Sequence, residues 1–87
     1  MAKRNPRGAG EIDAHIGRRL REAREQHGMT QMTLAGMLGV TFQQIQKYER
    51  GVNRISAGRL YETANAFELP ITFFFEGVKL PPRGAKR

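Results

Sequence analysis

Cysteine and tryptophan are absent from this chain of 87 residues, and histidine occurs only twice. The lack of cysteine excludes a disulfide framework, a thiolate metal site and a cysteine nucleophile. With His15 and His27 as the only histidines, we expect no metal site and no cofactor. The longest apolar run is Phe73–Phe75, whereas a helix that crosses a bilayer needs about 20 apolar residues. The sequence therefore predicts neither a membrane span nor a signal peptide.

Basic residues outnumber acidic ones, with 15 Lys and Arg against 8 Asp and Glu, which gives a net charge of +7. A surplus of this size favours nucleic acid or an anionic membrane as the partner. Seven of the basic residues lie within 1–8 and 79–87, and the rest of the chain is balanced in charge. We therefore predict a flexible basic arm over 1–10, one folded domain over 11–77 and a flexible basic tail over 78–87.

Between the two basic ends, apolar residues recur with helical spacing, and no stretch alternates as a strand would. A threonine or serine stands immediately before three of the helices that this spacing predicts, where its side chain can cap free N–H groups. The pattern predicts an all-α fold with five short helices, over Glu11–Gln26, Gln31–Leu38, Phe42–Arg50, Ala57–Phe67 and Ile71–Phe75.

Three residues within Gln31–Arg50 indicate that the second and third helices form a helix-turn-helix. Ala35 is small where the two helices would cross closely, and Gly39 can turn the chain through a positive φ without strain. Ile45 is the apolar, β-branched residue of an otherwise polar helix, so it must fill the angle between the helices. These features at these offsets define a helix-turn-helix.

The chain, with these residues, resembles the Cro/repressor-type helix-turn-helix proteins of phages and bacteria. The resemblance implies a five-helix, lambda-repressor-like domain that binds double-stranded DNA in the cytoplasm, at the bacterial or phage nucleoid. It also implies a transcriptional regulator, most simply a homodimeric repressor. Two residues depart from the family pattern, because Gly36 lies inside a helix and Phe42 replaces a residue that is often polar. The matching positions, spread over about 12–77, are Thr30-Gln31, Leu34-Ala35, Gly39-Val40-Thr41, Ile45, Glu49, Gly51, Ser56, Leu60, Ala64 and Leu69–Gly77.

The projection of the third helix separates an inward side from an outward one. Ile45, Tyr48 and Glu49 point inward, and the opposite side carries amides and cations but no acid. Glutamine can pair with adenine, lysine can donate to guanine, and an aromatic edge can pack on the methyl group of thymine. We therefore predict that the helix reads base edges in the major groove of DNA. The predicted base-reading residues are Phe42, Gln43, Gln46 and Lys47.

Phosphate contacts are expected around these base-reading residues. Gln31 opens the second helix, where free N–H groups and the helix dipole attract a phosphate. Asn53 and Arg54 follow the third helix and can meet the backbone on the other side of the groove. The predicted phosphate-binding residues are Gln31, Gln44, Arg50, Asn53 and Arg54.

The family resemblance implies two further roles. Arg24 of the first helix would pair with Glu49 and hold the first helix against the recognition helix. The segment Ile71–Phe75 would lie at a homodimer interface, because three consecutive phenylalanines point in different directions and cannot all enter one core. The predicted interface residues are Ile71, Phe73 and Phe74.

Two other functions stay open at this point. An antitoxin would bind DNA in the same way and would need a toxin as its protein partner. An RNA- or ribosome-associated adaptor would use the basic ends electrostatically and the helices as a platform for proteins. We expect no enzyme, because no serine-based arrangement, carboxylate pair or glycine-rich phosphate loop predicts catalysis.

Overall fold

The computed structural model describes residues 6–79 of the chain, with side chains from residue 10 onward. Four α-helices are followed by one 3-10 helix, and the described residues contain no strand. The all-α helix-turn-helix prediction is therefore confirmed. The elements are α1 (Pro6–Gln26), α2 (Gln31–Leu38), α3 (Phe42–Arg50), α4 (Ala57–Phe67) and the 3-10 helix Ile71–Phe75.

Two elements differ from the prediction in their start or type. α1 begins at Pro6 rather than at Glu11, because proline suits the first helical position, where its missing N–H needs no partner. Part of the predicted flexible arm is therefore helical, and residues 1–5 and 80–87 lie outside the described residues. The last element has 3-10 rather than α geometry, as is common for a helix of so few residues.

Short-range capping groups fix the ends of α2 and α3. The Thr30 hydroxyl accepts a hydrogen bond from the backbone N–H of Thr33 at 3.0 Å, and the Thr41 hydroxyl accepts one from Gln44 at 3.0 Å. Gly39 follows α2 with a φ of 70°, which is the left-handed conformation that favours glycine. The turn between the two helices therefore follows from local chemistry.

One apolar core joins all five elements. α1 packs against α3 and the 3-10 helix, while α2 packs against α3 and α4. Ile45 is completely buried, as expected of the residue that fills the angle between α2 and α3. The buried apolar residues are Ile16, Leu20, Ala23, Leu34, Ala35, Leu38, Ile45, Tyr48, Leu60, Ala64, Phe67 and Phe74.

α1 crosses the C-terminal end of α3 at a separation that requires glycine. A Cβ atom on Gly17 would lie 2.7 Å from the carbonyl oxygen of Glu49 and closer still to that of Tyr48. A Cβ atom on Gly51, which follows α3, would lie 2.7 Å from the Cα atom of Ala14. The two glycines let the backbones of both helices touch, and this contact fixes the position of α3 relative to α1.

Candidate nucleic-acid interface

The outward side of α3 is polar and cationic. Glu49 is the one acid in this helix, and its side chain is only 4% exposed. The exposed surface of α3 therefore carries two cations and no carboxylate, and such a surface attracts anions. The exposed residues are Phe42, Gln43, Lys47 and Arg50, and the half-buried polar residues beside them are Gln44 and Gln46.

Arg24 of α1 and Glu49 of α3 form a two-point ion pair beneath this surface. Arg24 Nε donates to Glu49 Oε2 at 2.7 Å, and Arg24 Nη2 donates to Oε1 at 3.1 Å. The two side chains are 12% and 4% exposed. Hydrogen bonding to Glu49 raises the pKa of the Arg24 guanidinium above its ordinary value. The guanidinium of Arg24 therefore keeps its positive charge at every pH below that ordinary value, and its contribution to stability is lost only as the pH rises through the raised pKa.

The same pair is tied to the start of α2. Gln31 Nε2 donates to Glu49 Oε1 at 3.0 Å, and Arg24 Nη1 donates to the carbonyl oxygen of Met29 at 2.9 Å. The Glu49 carboxylate thus accepts hydrogen bonds from both α1 and α2. Its network holds α3 against the two helices that precede it.

An open cleft of about 610 Å³ lies between the end of α1, the start of α2 and one side of α3. Phe42 and Gln46, of the predicted base-reading residues, line it together with Gln31 and Arg50, of the predicted phosphate-binding residues. Arg21 of α1 also lines the cleft, a position that the sequence did not single out because a neighbouring glutamate balances its charge. The structure thus gathers residues from three helices around one cleft.

Arg54, in the loop after α3, pairs with an acidic residue of α1. Arg54 Nε lies 3.2 Å and 3.3 Å from the two carboxylate oxygens of Asp13 on α1. The Arg54 side chain is 66% exposed, whereas that of Asp13 is 15% exposed. Asn53 is half-buried in the same loop. No pattern in the sequence predicts the Arg54 pair, because its members lie 41 residues apart.

The structure of the 3-10 helix contradicts the prediction for one of the interface residues. Phe74 is completely buried in the core, so the prediction that it meets a partner is wrong. A 3-10 helix has three residues per turn, which points the three phenylalanines in three directions and sends one of them inward. Phe73 is half-buried under Arg19, whose Cζ atom lies 3.7 Å from the ring centroid. Phe75, which was not predicted, is 43% exposed, and Ile71 is 36% exposed.

Ile71 and Phe75 stand at an apolar groove of about 380 Å³ on the side of α1 and α4. Arg54 and Asp13, the ion pair of the loop, lie at the same groove. The loop that follows α3 therefore contributes to the groove through Arg54 and Ile55. Its apolar lining consists of Ile12, Ile16, Ile55, Ala57, Leu60, Ile71 and Phe75.

Two features are absent from residues 6–79. No group of three or more His, Cys, Asp and Glu side chains could hold a metal ion in this part of the chain. None of its helices is both long enough and apolar enough to cross a membrane.

Residues 20–74 match a protein-family model described as helix-turn-helix. The chain is 49% identical over 79 residues to a transcriptional regulator in the ATPase CF(0) region of Rhodospirillum rubrum. The matched residues make up 91% of this chain and 73% of that protein. It is 52% identical over 65 residues to the HTH-type transcriptional regulator y4wC of Sinorhizobium fredii. Here the matched residues make up 75% of this chain and 46% of the relative. The chain spans about half the length of several such curated relatives.

Two solved structures are similar to the fold. The restriction-modification controller protein C.AhdI of Aeromonas hydrophila has a TM-score of 0.67 at 31% identity, over 71% of this chain and 94% of that protein. The clp gene regulator ClgR of C. glutamicum has a TM-score of 0.70 at 23% identity, over 74% of this chain and 83% of that protein. The second likeness shows the fold alone.

Proposed function

The chain belongs to this helix-turn-helix family, whose curated members are named as transcriptional regulators, and from that premise we propose that it binds double-stranded DNA sequence-specifically. It does so as a two-fold dimer that reads an inverted repeat with α3, most simply as a repressor. The observation that carries the proposal is the acid-free outward side of α3, held in place by the buried Arg24–Glu49 pair.

The outward residues of α3 divide by the chemistry they offer. Gln43 and Lys47 are exposed on the side of α3 opposite Ile45. A glutamine amide can pair with adenine through two hydrogen bonds, and a lysine ammonium can donate to guanine O6 and N7. Arg50 stands in the last turn and suits a phosphate, which needs charge rather than a defined base edge.

Phosphate contacts on both sides of α3 would complete the interface. On one side, Gln31 at the start of α2 lines the cleft, and the N-terminal end of a helix favours an anion. Gln44 lies beside the base-reading residues. On the other side, Asn53 and Arg54 follow the helix, and Arg54 would exchange the Asp13 carboxylate for a phosphate. Because Arg54 is largely exposed, that exchange requires no change in the core.

Gln43→Ala and Lys47→Ala should each weaken binding to the preferred duplex by about 1–3 kcal/mol, because each removes hydrogen bonds to one base. Each should also relax the base preference at one position of the half-site. Anisotropy titrations with the preferred duplex and with single-base variants of it measure both effects.

Arg50→Ala is the matched control for Lys47→Ala, since it removes a cation from the same helix. It should weaken binding to the preferred duplex and to a scrambled duplex by the same factor. A Lys47→Ala protein that also loses affinity equally on both duplexes would show that Lys47 binds phosphate and does not read a base.

A second copy of the chain is the proposed occupant of the apolar groove at Ile71 and Phe75. A dimer interface with two-fold symmetry must be self-complementary, and the groove combines an apolar hollow with exposed side chains at its edge. Ile55 of the groove lies four residues after Gly51. A two-fold axis at the groove would therefore bring two recognition helices side by side, as an inverted repeat requires.

Phe75→Glu should weaken self-association by at least about tenfold, because it would place a carboxylate in an apolar interface. Sedimentation velocity measures the dimer, and circular dichroism checks that the helices persist. Met37→Glu is the control, because Met37 is similarly exposed, at 49%, and does not line the groove. A Phe75→Glu protein that dimerises as tightly as Met37→Glu would contradict the proposed interface.

A further inference from the structure

Two exposed apolar side chains line the cleft between α1, α2 and α3, which also holds the half-buried Met29 and several polar residues. Met32, the second residue of α2, is 70% exposed, and Phe42, the first residue of α3, is 38% exposed. Both line the cleft, together with Gln46 and Arg50. Exposed apolar side chains gain from a partner that covers them, and a partner here must also fit among amides and cations.

The major groove of DNA offers an apolar group that fits this description. The methyl group on C5 of thymine projects into the groove, and methylated cytosine carries the same group at the same position. Arg21 and Arg50 line the same cleft and can meet the phosphates that flank such a base. The cleft therefore combines an apolar contact for one base with positive charge for its backbone.

We propose that Met32 and Phe42 form a seat for the C5 methyl group of a pyrimidine in the major groove. The protein would then prefer a methylated pyrimidine at one position of each half-site. This proposal rests on the DNA-binding function above, and it adds a specificity-determining residue, Met32, that lies outside the recognition helix.

The position of that base in the half-site follows from the fold. Phe42 stands at the N-terminal end of α3, whereas the proposed dimer groove is lined by the loop that follows its C-terminal end. The nine residues of α3 separate the two ends by about 13 Å. The methylated pyrimidine therefore lies at the outer end of each half-site, and Lys47 reads bases nearer to the two-fold axis.

Anisotropy titrations of the full chain with labelled duplexes test the seat directly. Each thymine of the preferred half-site is replaced in turn by deoxyuridine, which lacks only the methyl group. We expect the Kd to rise about fourfold at one outer thymine, the effect of returning one buried methyl-sized group to water. No change is expected at the inner thymines.

A second set of duplexes identifies the natural source of the methyl group. At the position found with deoxyuridine, the base pair is changed to cytosine–guanine and to 5-methylcytosine–guanine. If the protein recognises thymine, it should bind the thymine duplex most tightly. Its affinity for the 5-methylcytosine duplex should then be about fourfold higher than for the cytosine duplex. A reader of methylated DNA binds the 5-methylcytosine duplex most tightly.

Protein variants connect the effect to the two side chains. Met32→Ala and Phe42→Ala should bind the thymine and deoxyuridine duplexes with equal affinity, because the surface that senses the methyl group is lost. Gln43→Ala is the matched control, and it should weaken binding while keeping the fourfold preference for thymine. Thermal melts of all three variants establish that they fold, as expected for exposed side chains.

Two results would overturn the proposal while leaving sequence-specific DNA binding intact. One is an unchanged Kd for every deoxyuridine duplex, and the other is a thymine preference that survives in both Met32→Ala and Phe42→Ala. Equal affinity of the wild-type protein for the preferred and the scrambled duplex would overturn the DNA-reading function, and the methyl seat with it.

Discussion

Arg24→Ala should lower the free energy of unfolding by about 3 kcal/mol, because it leaves the Glu49 carboxylate buried without its cation. Gln31 would keep one hydrogen bond to that carboxylate, and an amide cannot neutralise its charge. For a domain of this size the loss corresponds to a fall in Tm of about 12–24 °C. Thermal melts followed by circular dichroism measure it.

Arg21→Ala provides the control for this loss on the same helix. Arg21 pairs with Glu25 at 2.9 Å, with side chains that are 64% and 54% exposed, so its removal should cost less than about 0.5 kcal/mol. The double variant Arg24→Met with Glu49→Leu should recover much of the stability, because it removes both charges together. An Arg24→Ala protein as stable as Arg21→Ala would contradict the buried pair.

Gly17→Ala should also destabilise the fold strongly, by about 2–3 kcal/mol. The new Cβ atom would lie 2.7 Å from the carbonyl oxygen of Glu49 and closer to that of Tyr48. Neither backbone oxygen can turn aside as a flexible side chain could, so α1 and α3 must move apart. Chemical denaturation measures the loss, and because α3 is displaced, binding to DNA should weaken beyond what unfolding explains.

Gly36→Ala is the control for the glycine substitution. Gly36 is exposed within α2, and a Cβ atom there would meet nothing within 4 Å. Alanine is favoured over glycine in a helix, so the protein should gain up to about 1 kcal/mol. If Gly17→Ala were stabilised by the same amount, the close crossing of α1 and α3 would be refuted.

The helix-turn-helix could be predicted from the sequence because its signals are local. Thr41 and Gly51 bound α3, and each acts on groups within four residues of itself. The same holds for Ser56, whose side chain accepts a hydrogen bond from the backbone N–H of Arg59 at the start of α4. Apolar spacing then determines which side of each helix is buried. These short-range rules suffice for the bounds of α2, α3 and α4.

Other features depend on contacts between residues far apart in the chain, which one sequence does not reveal. The requirement for Gly17 arises only because α1 crosses α3 there. Arg54 finds Asp13 for the same reason. The family resemblance alone implied the Arg24–Glu49 pair, since spacing gives no reason to join those two residues. Which phenylalanine of Phe73–Phe75 enters the core depends on how the 3-10 helix is oriented against the other helices.

Selection of bound duplexes from a pool of random DNA tests most directly whether α3 reads base sequence. The wild-type protein should enrich an inverted repeat whose half-sites lie about 10 base pairs apart, centre to centre. The Gln43→Ala, Lys47→Ala double variant, carried through the same rounds, should lose the preference at the positions that these side chains contact. Absence of any enriched sequence with the wild-type protein, or enrichment of the same repeat by both proteins, would contradict base reading by α3.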